Sequence, residues 1–208
     1  MSLVKISGNA SGTGVFTIAS PSSSTDRTQT LPDATGTVVL DTATQTLTNK
    51  TIQGGAIASG TAQASTSGTA IDFTGIPSWV KRITVNLFGV STNGTTAVLV
   101  QLGAGSITSS GYGSSGGYSG GTSAGSTRTN GILIDGNAAT NIRYATVTIT
   151  NVSGNNWLMT VAGGTSDSAV FFGAGAGVTL AGTLDRVRIT TGNGTDTFDA
   201  GSINILYE

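Results

Sequence analysis

From about residue 61 onward, several stretches of the chain alternate apolar and polar residues with a period of two. Ile83, Val85 and Leu87 are separated by Thr84 and Asn86, and Ala145, Val147 and Ile149 by Thr146 and Thr148. An extended backbone points successive side chains to opposite faces, so each run predicts a strand with one dry face. Val187 and Ile189 oppose Arg186 and Arg188, while Trp157, Met159 and Val161 share a face, as do Ile203, Ile205 and Tyr207. Asn93-Gly94, Asp135-Gly136 and Asn193-Gly194 suit the positive φ angles of tight hairpins. Residues 61–208 are therefore expected to form a jelly-roll-like β-sandwich of roughly eight strands.

Composition points the same way. About 60 of the 208 residues are Ser or Thr, 32 are Gly, and Glu208 is the sole Glu. Strong helix formers are scarce, so the fold class predicted is all-β. Residues 1–40 read as a small amino-terminal β module with strands at Leu3–Ile6, Val15–Ile18 and Thr37–Leu40, and residues 41–60 as an extended Thr-rich connector. So small a module buries little surface and the chain has no Cys to staple it, which leaves association with other chains as its support.

Nine Lys and Arg against ten Asp and Glu give a net charge of -1, so no strong field draws the chain to nucleic acid. No window approaches the apolar length of a membrane-spanning helix, and no membrane insertion is expected. Without His or Cys, the usual bases, nucleophiles and commonest metal ligands are missing. Asp196 and Asp199 are the nearest carboxylate pair, but they sit in a turn-rich segment where Asp commonly satisfies backbone groups. No catalytic residue, metal site or cofactor is expected, and the chain reads as a non-enzyme. Gly111-Tyr-Gly113-Ser-Ser-Gly116 matches a dinucleotide-binding fingerprint by letter, yet the run after it is unsuited to the helix that receives the pyrophosphate. Gly173, Gly175 and Gly177 read as a close backbone approach or a bulge.

Gly103 to Gly131 breaks the alternation, being nearly all Gly, Ser and Thr. It reads as a long surface loop or as two Gly-rich hairpins, and loops on a rigid β scaffold are where binding usually resides. Its large side chains, Tyr112, Tyr118 and Arg128, are the candidate contacts for a partner or glycan. Trp79, entering a sheet after Pro77, is expected in the core.

Ile6-Ser-Gly-Asn-Ala-Ser-Gly-Thr-Gly-Val-Phe-Thr-Ile18, Leu31-Pro-Asp-Ala-Thr-Gly-Thr-Val38 and Thr46-Leu-Thr-Asn-Lys-Thr-Ile52 together resemble segments of tailed-bacteriophage tail fibres and related appendages. Ala70 to Ile83 and Asp196 to Ile205 look like a β domain carried by phage structural proteins. The resemblance implies a homotrimeric virion protein, attached to other virion proteins through residues 1–60, with its sandwich outward and available to host-surface glycan. It transfers no catalytic site. Three roles fit: a short tail or head fibre, a capsid decoration protein, or a carbohydrate-binding module.

Overall fold

The computed structural model describes residues 57–208 apart from 121, 135–137 and 167–169, together with residues 11–15, 17, 22–26 and 28. The chain divides into two units, Met1–Thr48 and Asn49–Glu208. The three strands expected in residues 1–40 and most of the expected connector lie outside the described residues, save Val15 and Thr17. Asp135-Gly136 lies outside them too.

The second unit is all-β, with no helix among the described residues. Its strands are β1 (Ala58–Ser59), β2 (Gln63–Ala64), β3 (Ala70–Thr74), β4 (Arg82–Thr92), β5 (Val98–Ala104), β6 (Ser106–Ile107) and β7 (Gly113–Gly120). They are followed by β8 (Thr122–Arg128), β9 (Ile132–Ile134), β10 (Arg143–Ser153), β11 (Asn156–Thr165), β12 (Phe171–Thr179), β13 (Arg186–Thr191) and β14 (Phe198–Tyr207). One antiparallel sheet of nine strands runs β1-β14-β4-β10-β11-β12-β7-β8, with β2 also on β14; the other, of five, runs β3-β13-β5-β6, with β9 also on β5. The apolar alternation foresaw β4, β10, β11, β13 and β14. Of the others, β5 is buried on both faces and so shows no period of two, β7 and β8 have too few apolar side chains to show one, and β1, β2 and β6 are only two residues long.

The two sheets face each other across one core, to which both contribute. Ile83, Val85, Val147, Ile149 and Met159 from the larger sheet and Val187 and Ile189 from the smaller are fully buried, as the alternation predicted, and Val98, Val100 and Leu102 of β5 join them. Each contributes about 1.5–3 kcal/mol by leaving water. On β13 the outward Arg188 forms a two-pronged pair with Asp72, its cross-strand partner on β3, at 2.7 and 2.6 Å. The sheet begins at Ala58, inside the segment read as connector, where β1 pairs with the carboxy-terminal end of β14.

A bulge interrupts the pairing of β4 with β14 between Phe198 and Ser202. Gly89 (φ 66°) and Gly201 (φ 94°) face each other there, and a Cβ on Gly201 would overlap the Gly89 carbonyl. The bulge moves the inward position on β4 from the odd-numbered Leu87 to Val90. Trp79 corrects the sequence expectation: it is 57% exposed, its ring tilted against Tyr207 at 6.0 Å between centroids. Val80, whose N–H donates to the Pro77 carbonyl, takes the buried position instead.

Candidate functional site

The Gly-rich segment folds as two hairpins. The first turns at Gly105 (φ 74°) from β5 into β6; the second is β7 with β8 at the edge of the nine-stranded sheet. Gly111-Tyr-Gly113-Ser-Ser-Gly116 runs through a turn into a strand and opens no helix, so the dinucleotide fingerprint lacks its structural context. On β12 the run Gly173-Ala-Gly175-Ala-Gly177 turns its Ala residues toward the core and its Gly residues outward, with no bulge.

Tyr112 was a candidate contact, and the structure corrects this: it is core, 2% exposed. Its hydroxyl accepts the Leu102 N–H at 2.7 Å and stands 3.4 Å from the Leu102 carbonyl, doing at the edge of β5 what a further strand would do. Burial pushes its pKa up to about 12, the Leu102 N–H partly offsetting it.

Tyr118 and Arg128 line one cleft, four positions apart along the β7–β8 hairpin. The inward face of the β7–β8 hairpin carries Ser114, Gly116 and Tyr118 on β7 opposite Arg128, Ser126 and Ala124 on β8. Tyr118 is partly buried against the core and Arg128 is exposed. β8 is held chiefly by β7, so a cleft opens between this face and the loops beside β5 and β13. It has two adjoining lobes of about 470 and 430 Å³ that share Thr96, Ala97 and Arg128, within the range of small-ligand sites. Leu133 and Ala97, members of a small second apolar cluster, form part of the wall. At Gly116 a Cβ would come within 2.6 Å of the Ala174 Cβ, which keeps this part of the hairpin bare.

The opposite wall is stitched from two loops far apart in sequence. The Asn193 amide donates to one Asp196 oxygen at 2.7 Å and the Thr96 N–H to the other at 2.9 Å. The Asn193 amide first, and then the Thr96 N–H, hold the Asp196 carboxyl below the usual carboxylate range. The Gly192 N–H donates to the Ala97 carbonyl at 2.9 Å, and Asn93 exchanges bonds with Thr197 at 2.8 and 2.9 Å. Asp196 therefore serves a loop a hundred residues away as well as its own turn, and its carboxylate occupies the space a Gly94 side chain would need. Asp199 accepts from the Ser91 hydroxyl. The nearest carboxylate pair is thus engaged in structural bonds.

Comparison with known proteins yields no matching family model, no matching curated protein and no matching solved structure. The site's chemistry is set by its lining. A guanidinium, a phenol ring and several hydroxyls can hold a polar ligand by charge-assisted bonds and ring contact. The wall of Thr95 to Ala97 and Gly192 to Asn193 was not foreseen as a site; its one signal was the pair of Asn-Gly turns that frame it.

Proposed function

We propose that this chain is a non-enzymatic structural and adhesive protein of a tailed-bacteriophage particle, a short homotrimeric fibre. Residues 1–60 fix it to other virion proteins, and the sandwich is presented to host-surface glycan. The observation that carries the adhesive role is the convergence of Tyr118 and Arg128 on one cleft with a hydrogen-bonded opposite wall. The virion location is supported by the resemblance of residues 6–18, 31–38 and 46–52 to phage appendage segments.

Association with other chains is supported by the outward face of the nine-stranded sheet. Phe88, Tyr144 and Phe171, 69%, 41% and 63% exposed, stand in one cross-strand row with Gly164 between the last two. Phe88 and Tyr144 meet edge to face at 5.2 Å. Beside them lie Thr146 and Thr148 on β10 and Gly173, Gly175 and Gly177 on β12, so much of this face is uncharged and built of small side chains. Exposed apolar clusters of this kind mark association surfaces. The same face favours a second reading, capsid decoration, in which it lies against neighbouring head subunits and stabilises the assembled state by binding it preferentially.

Gold-labelled antibodies against residues 61–208 on intact particles separate the readings. Label at the tail or collar is expected for the fibre, label over the whole head for decoration, and unlabelled particles contradict both.

A further inference from the structure

Charge in the cleft is one-sided. Arg82, Arg186 and Arg188 each hold a carboxylate, from Glu208, Asp185 and Asp72. Arg128 has no such pair among the described residues, and none of the described residues lining either lobe is an acid. Asp196 lies behind the wall, with an N–H donor on each oxygen. Directly opposite Arg128 on β7, the Ser114 hydroxyl is buried and has no hydrogen-bond partner among the described residues.

We propose that the cleft takes an anionic oligosaccharide, a carboxylate or sulfate on it held by Arg128 and a sugar ring face against Tyr118, four positions along the same face of the hairpin. The inference rests on the saccharide-binding reading above and adds the charge of the ligand. The planar guanidinium offers two parallel N–H donors, the geometry that an oxyanion group accepts. Ser126, Thr127 and Thr96 supply hydroxyls around it for the sugar's own hydroxyls. Tyr presents a rigid ring at low entropic cost.

The test is binding of the full chain to oligosaccharides in matched sets, carboxylated (oligouronate, sialylated), sulfated and neutral, measured for wild type, Arg128→Ala and Tyr118→Ala. Arg128 is exposed on an edge strand, so Arg128→Ala should melt as wild type does, and Arg128→Gln serves as a second variant that keeps the side chain's bulk. The expected result is binding of an anionic set about tenfold or more tighter than its neutral counterpart, with a similar loss in Arg128→Ala. Preference for the carboxylated or the sulfated set then names the group that Arg128 holds. Equal binding of neutral and anionic sets, unchanged in Arg128→Ala, overturns the proposal and leaves saccharide binding standing. Binding of no set overturns both.

Discussion

β10 and β8 belong to the same sheet, but β10 turns Ala145, Val147 and Ile149 into the core, while β8 has Ala124, Ser126 and Arg128 on the corresponding face. β10 is paired on both sides, by β4 and β11; β8 is paired on one, by β7. The difference teaches where this molecule places stability and where it leaves surface for a ligand. Apolar burial holds the middle of the sheet, and the hairpin at its end, made of small residues, is held by backbone bonds and so leaves a cleft. Binding surfaces are commonly drawn from such low-stability margins.

The comparison breaks first in the middle of the sheet. Ile149→Ala empties a fully buried position and should lower unfolding free energy by about 2–5 kcal/mol in denaturant titrations. A loss below about 1 kcal/mol would mean that the centre is not where stability lies.

Tyr112 sharpens the boundary between the two regions. Tyr112→Phe leaves the Leu102 N–H unpaired at a buried edge, with an expected loss of about 1–3 kcal/mol. Because the folded-state pKa is raised from 10.0 to about 12, the folded chain binds more protons in that window. The stability present below pH 10 should fall by about 1.4 kcal/mol per unit as pH rises from roughly 10 toward 12. Melting curves at pH 9 and 11.5 measure the fall, and in Tyr112→Phe this contribution should vanish.

The smallest effect lies on the outward face. A Cβ at Gly175 meets nothing within 4 Å, so Gly175→Ala should stabilise by about 0.4–1 kcal/mol through the unfolded chain. A loss instead would show that this face needs its glycines for the isolated chain to fold.

β4, β10 and β13 were legible because burial of Ile83, Val147 or Val187 imposes a period that neighbouring residues reveal, whereas β5, buried on both faces, shows none. Tyr112 was misread because local sequence showed only its small, polar neighbours, whereas its hydroxyl is claimed by the Leu102 N–H ten residues upstream. Trp79 was misread because the turn that follows Pro77 gives the inward position to Val80. The bulge at Gly89 and Gly201 is a pairing between strands over a hundred residues apart, and a glycine in a strand does not name its partner. Of the cleft, Tyr118 and Arg128 were legible as large side chains in a bare segment. Its other wall was not, since Thr96 and Asp196 meet only once the sheets are assembled.

The division of labour between centre and hairpin is tested most directly by amide hydrogen exchange on the full chain, alone and with an anionic oligosaccharide. β10 amides should exchange only through global unfolding, while β8 amides paired to β7 should exchange at clearly lower free energy and slow when the oligosaccharide is added. Equal protection of β8 and β10, unchanged by the oligosaccharide, would contradict the account.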